Sequence, residues 1–236
     1  RPESIRSVLL DSVYSPQLRS FNVTAIESYN RALNVMFADC AADPACNAAF
    51  PDLGQAFDTL VERLNANPVQ LPLVNPNTGE VLTYIPFTGV DFSTLTFQLM
   101  YITPIIPILP ALISLTENGN YELLSLITSL LFSDPSASLS SIGMQIAVQC
   151  NEDTTFNTPE EFVQTRDVNR RASSLANIVT FNEAILEVCG AFGLTNPDPA
   201  ENTAVSSDLP TFIIAGAYDP ITQPDNARNA ASTLPN

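Results

Sequence analysis

The chain of 236 residues contains no histidine. That excludes any chemistry in which these residues alone supply an imidazole base, a Ser-His-Asp triad or a His-ligated metal. Cations are scarce as well. Lys+Arg is 9 against Asp+Glu 25, a formal net charge of −16. Nucleic acid and anionic lipid are held by clustered cations, so neither is expected as a partner. Glycine is thin too, 8 residues against 19 prolines, and neither a G-x-G-x-x-G nor a P-loop occurs. No phosphate-cradling loop, and no cofactor, is therefore expected. What is present is apolar. A hydrophobic fraction of 45% and a mean hydropathy of +0.13 mark a globular chain. Its length suits one large domain or two modest ones.

The four cysteines are Cys40, Cys46, Cys150 and Cys189. Four allow three pairings. Cys40 and Cys46 flank a short segment and could close a small loop, which leaves Cys150 and Cys189 to pair across a longer one. The alternative is four buried free thiols. Two disulfides imply an oxidising compartment, hence a secreted, periplasmic or extracellular protein. The chain opens at Arg1-Pro2-Glu3 without an apolar leader, so any signal peptide is expected to be removed or to lie upstream. With no C-x-x-C and no histidine, no zinc site is expected.

Along the chain, residues 5–10 read as a short buried strand ending at Asp11. Thr24 and Glu27 form a capping-box pattern for a helix over 25–39. Asp52 is placed to cap a second helix, with Leu53, Phe57, Leu60, Val61 and Leu64 on one face and Asn67-Pro68 ending it. Residues 69–74 and 80–85 flank Asn75-Pro76-Asn77-Thr78-Gly79 as in a hairpin. Residues 92–116 carry no charge, but Pro104, Pro107 and Pro110 predict broken short helices rather than a membrane span. These helices would form a lid, an apolar pocket wall or plain core. Residues 121–132 make another apolar helix, and the stretch 133–141 is Ser-rich.

From Ile142 to Cys150 apolar residues alternate with others, which predicts a strand. Thr158-Pro159-Glu160-Glu161 is a helix start. Residues 211–216 read as a buried strand, and a helix follows from Asp225 towards Leu234. Three strands near 5–10, 142–150 and 211–216, separated by helices, predict an α/β fold with a mostly parallel sheet. Ligands in such sheets bind at the carboxyl ends of strands. Asp11, Glu152, Asp153 and Asp219 would gather there, although an Asp after a strand often only caps a turn.

Four segments resemble one family. Leu209-Pro210 through Gly216-Ala-Tyr-Asp219-Pro220-Ile-Thr222-Gln-Pro224 resembles the strand and turn that carry the triad acid in α/β-hydrolases. It is most similar to the tripeptidyl-aminopeptidase and proline-iminopeptidase branch, with its G-x-x-D-x-x-T-P pattern; here the proline comes one position late. Arg1-Pro2-Glu3 through Leu10-Asp11-Ser12-Val13 resembles the family's P-E-x-V-x-S-V-V-L-D-G-V segment, with Ser12 where Gly is usual. Cys40-Ala-Ala-Asp43-Pro44-Ala-Cys46, then Phe50-Pro51, resembles the cap motif. Gln149-Cys150-Asn151-Glu152-Asp153 resembles the return from cap to core. The four occur in the family's order.

The resemblance implies a partial α/β-hydrolase sheet, mostly parallel, with a large and mainly helical inserted cap. Residues 1–24 and 141–236 would belong to the core, and 25–140 to the cap. It also implies what is missing. The family's nucleophile sits in a G-x-S-x-G elbow upstream of Arg1, and its base in a Gly-His pair downstream of Asn236. Neither occurs here, so the chain reads as an interior fragment of a secreted serine hydrolase, inactive alone. Asp219 would be the triad acid. Glu152, with Asp153 second, would hold the α-ammonium of a peptide substrate, because a desolvated cation needs a counter-charge. An exopeptidase acting on peptides is the expected activity. An esterase or lipase-like hydrolase acting on a small acyl substrate, and a non-catalytic binding module, are the alternatives.

Overall fold

A computed structural model describes residues 4–18, 20–132, 141–178, 181–195 and 197–236. Residues 1–3 of the first family-like segment, and the Ser-rich stretch up to 140, lie outside these. In chain order the elements are β1 (Val8–Asp11), α1 (Phe21–Ala42), α2 (Pro44–Ala49), α3 (Leu53–Ala66), β2 (Val69–Val74), β3 (Val81–Phe87), α4 (Gly89–Leu99), α5 (Leu109–Glu117), α6 (Glu122–Phe132), α7 (Ile142–Glu152), α8 (Pro159–Val168), α9 (Ala184–Ala191), β4 (Thr211–Ile214) and α10 (Pro224–Ala231). The fold is mixed α/β and mostly helical. The chain divides into two compact units, Arg1–Leu33 with Ile142–Asn236, and Asn34–Ser141.

In the first unit β1 and β4 pair in parallel, with Val8 opposite Thr211 and Asp11 opposite Ile214. The pair is only half buried. Leu9 and Phe212, opposite one another, are each 64% exposed. The third strand expected from the alternation at 142–150 is helix α7 instead. Met144, Gln145, Ala147 and Gln149 are good or tolerated helix residues, and the backbone follows them rather than the alternation. Only Ile146 and Cys150, four apart on one helical face, pack inward; Ile142, Met144 and Val148 stay exposed. Val23, Phe162, Ile185 and the Cys150–Cys189 disulfide form the core there.

Helix α1 begins four residues earlier than expected. Thr24 does not open it; its hydroxyl donates back to the Ser20 carbonyl. The first turn is met both locally and from another segment: Val23 N–H donates to Ser20 Oγ at 3.4 Å and Phe21 N–H to Asp153 Oδ2 at 2.8 Å, while Ser20 N–H, just before the helix, donates to Asn157 Oδ1 at 3.2 Å. The start of α8 is as expected, with Thr158 N–H donating to Glu161 at 2.8 Å.

In the second unit β2 and β3 form the expected antiparallel hairpin, Val69 opposite Phe87. Helix α3 buries Leu53, Phe57, Leu60 and Leu64. Asp52 does not cap it: its backbone is left-handed, φ 52°, and its side chain makes no capping bond. Gly89 opens α4 against α3, where a Cβ would overlap the Val61 carbonyl oxygen. That closeness lets Phe92 reach Phe57, ring centroids 6.0 Å apart, with Phe37 5.7 Å beyond. The prolines break the apolar stretch as expected. Helix α4 ends at Leu99, Pro104 and Pro107 sit in a 3-10 helix Thr103–Ile108, and Pro110 lies in the first turn of α5. No helix among the described residues is long and apolar enough to cross a membrane. The Cys40–Cys46 disulfide joins the end of α1 to α2.

Candidate functional site

Asp219 lies five residues beyond β4 in a turn built around its own carboxylate. Oδ1 accepts the N–H of Ile221 at 2.8 Å and of Thr222 at 2.7 Å, and Oδ2 accepts the Thr222 hydroxyl at 2.7 Å. Oδ1 thereby has both lone pairs engaged, while Oδ2 keeps one. The Thr of the G-x-x-D-x-x-T pattern has a physical role here: Thr222 holds both oxygens of Asp219. Gly216 is not required here by its conformation. Its φ is not positive, and a Cβ there would meet Asp219 only in ordinary contact at 3.7 Å. Its carbonyl accepts the Asp219 N–H at 3.3 Å.

Arg31 completes this arrangement from α1. Its Nη2 donates to the Ala217 carbonyl at 2.8 Å and the Asp219 carbonyl at 3.4 Å, so the guanidinium fixes the backbone of the acid turn. Its Nε is buried with no acceptor among the described residues. Burial lowers the Arg31 pKa; Asp225 and Asp219 pull it up, and Arg228 lowers it further. Sequence reasoning did not single out Arg31. Its distance of 188 positions from Asp219 leaves no local signal.

The other acidic candidates differ in their surroundings. Asp11 ends β1 and is exposed. Glu152 is the last residue of α7 and is exposed. Asp153 is partly buried against the first turn of α1, and burial raises its pKa from 3.8 to about 6 while the Phe21 N–H pulls it down. Phe21 and Arg31 are ten residues apart on one helix, about 15 Å along its axis, so the Asp153 and Asp219 attachments are well separated. Among the described residues no group of three or more His, Cys, Asp or Glu side chains can hold a metal ion.

An apolar cavity of about 330 Å³ lies beside the inner face of β1 and β4, lined by Val8, Leu10, Leu209 and Leu234 among others, and not by Asp219. Gln17 also lines it, with Oε1 buried and unpaired among the described residues. Compared with known proteins, the chain matches no family model and no curated sequence.

Proposed function

We propose that the chain is the interior part of a secreted serine hydrolase of the α/β-hydrolase type, most similar to tripeptidyl-aminopeptidases and proline iminopeptidases. Asp219 is its triad acid. The observation that carries this reading is the Asp219 turn itself. A carboxylate beyond the carboxyl end of a parallel strand is held by two backbone N–H groups and a hydroxyl, with one lone pair of Oδ2 left for an imidazole N–H. A second feature agrees with it. Ser12 has φ 53°, a left-handed backbone that glycine adopts freely, at the position where the family pattern has Gly. Two disulfides suit secretion.

In this mechanism a Ser hydroxyl outside these residues attacks the acyl carbon and a His takes its proton. Asp219 orients that His and stabilises the imidazolium. Arg31 holds the acid turn and does not touch the reacting atoms. For the substrate α-ammonium Glu152 is the stronger choice, because Asp153 is already committed to the first turn of α1.

The test is hydrolysis by the protein extended to include the serine elbow and the Gly-His segment. Aminoacyl anilides should be cleaved faster than simple acyl esters; the reverse order would favour the esterase reading. The chain of residues 1–236 alone should cleave neither, and robust triad-type hydrolysis by it would reject the fragment reading. In the extended protein Glu152→Gln should raise KM for free-amine peptides and leave N-blocked esters unchanged. Equal effects on both would remove Glu152 from the site.

A further inference from the structure

A second cavity, about 430 Å³, lies within the unit Asn34–Ser141, lined by Ile85, Phe87, Asp91, Leu95, Thr128 and Leu131 among others. Thr128 is unusual. Buried hydroxyls on helices ordinarily return a hydrogen bond to the carbonyl one turn back. Thr96 does so to Phe92 at 2.9 Å, Thr116 to Leu112 at 2.7 Å and Ser129 to Ser125 at 2.7 Å. On α6 itself the Ser125 hydroxyl also reaches the Pro72 carbonyl, and Ser129 accepts the Val74 N–H. Thr128, between them in sequence and 3% exposed, has no partner for its Oγ1 among the described residues. A buried hydroxyl without a partner costs stability, and in the wall of a cavity it is suited to a ligand.

The charge of the surroundings selects the ligand. Residues 34–141 hold ten carboxylates and a single cation, Arg63. Arg63 is occupied: its guanidinium donates to the carbonyls of Thr116 and Glu117 and to the Tyr121 hydroxyl. At the cavity Asp91 uses Oδ2 to hold Thr88 N–H and hydroxyl, and Oδ1 has no donor among the described residues. We propose that this cavity binds a small apolar amine. Its hydrocarbon body would lie against Ile85, Phe87, Leu95 and Leu131, its ammonium at Asp91, with a hydrogen bond to Thr128. Amine binding stands apart from the hydrolase reading, and an Asp219→Asn variant should bind the amine as well as the unaltered chain does.

The probes are 2-phenylethylamine, the neutral 2-phenylethanol and the anionic 3-phenylpropanoate, titrated by calorimetry and by methyl NMR of Ile85, Leu95 and Leu131. The amine should bind at least about tenfold more tightly than the alcohol, and the carboxylate should bind least. Asp91→Asn, which keeps an acceptor for Thr88, should abolish the preference of amine over alcohol. Thr128→Val should weaken the amine about tenfold while raising the melting temperature of the free protein, since it removes an unpaired hydroxyl at nearly constant shape. Equal affinity for amine and alcohol, an unchanged affinity in Thr128→Val, absence of millimolar binding, or shifts confined to other methyls would each overturn the proposal.

Discussion

The hairpin β2–β3 and the parallel pair β1–β4 are both two-stranded, and their surroundings differ sharply. The hairpin turns Leu71 and Phe87 into the core of its unit, and α6 is stitched to β2 by Ser125 and Ser129. Its other face meets water, as an antiparallel sheet tolerates; Tyr84 is 60% exposed there. The parallel pair has no such option. Parallel strands are found with both faces covered, yet Leu9, Phe212 and Ile214 lie open on one face and an apolar cavity lies beside the other. The unit Asn34–Ser141 closes a core with its own residues. The unit carrying Asp219 has a buried cluster around Cys150–Cys189 that includes no strand residue, and one face of its β1–β4 pair is bare.

Each unit has one disulfide, which offers the strongest way to set them apart. Cys150–Cys189 closes a loop of sequence separation 39 and Cys40–Cys46 one of 6. On loop entropy, replacing Cys150 and Cys189 by Ala should cost about 4 kcal/mol, and replacing Cys40 and Cys46 about 2 kcal/mol. Denaturant titration of the two double variants measures this. Equal losses would mean that the Asp219 unit does not depend on its cysteine cluster as described.

Asp153 gives a pH-dependent probe of the same unit. Its folded pKa of about 6 lies above the unfolded 3.8, so the native state binds more protons between these values. Its contribution to stability is therefore full below about pH 4 and is lost as pH rises through 6. Asp153→Asn keeps an acceptor for Phe21 and removes the titration. Relative to the unaltered chain it should gain up to about 3 kcal/mol between pH 4 and pH 7. Melting curves across that range check the sign, and a variant that loses stability towards pH 7 would refute it. The smallest effect is at Ser12. Ser12→Gly should relieve its left-handed backbone and stabilise the Asp219 unit by about 1 kcal/mol, seen as a small rise in melting temperature.

Much of this fold is legible in sequence where one physical signal dominates. The apolar face of α3, the hairpin around Asn75–Gly79, the Thr158–Glu161 helix start and the proline breaks are all local. The failures have physical causes as well. At 142–150 an accidental alternation competed with helix-forming residues, and the helix won. Thr24 looked like a cap because Glu27 follows it at capping-box spacing, but Ser20 and the sequence-distant Asp153 meet the first-turn N–H groups instead. At the candidate site the G-x-x-D-x-x-T pattern pointed to Asp219 and to the Thr222 that holds it. Arg31 and Thr128 were not legible, because each acquires meaning only from atoms brought to it, or withheld from it, by the tertiary fold.

We propose Asp219 as the acid of a serine-histidine-acid triad. The proposal is tested most directly by kcat of Asp219→Asn in the protein extended to include the serine elbow and the Gly-His segment. The turn should survive, since an Asn oxygen can still accept the Ile221 and Thr222 N–H groups. If Asp219 is the triad acid, kcat should fall about 10⁴-fold with KM little changed. Near-normal turnover in a correctly folded variant would contradict it.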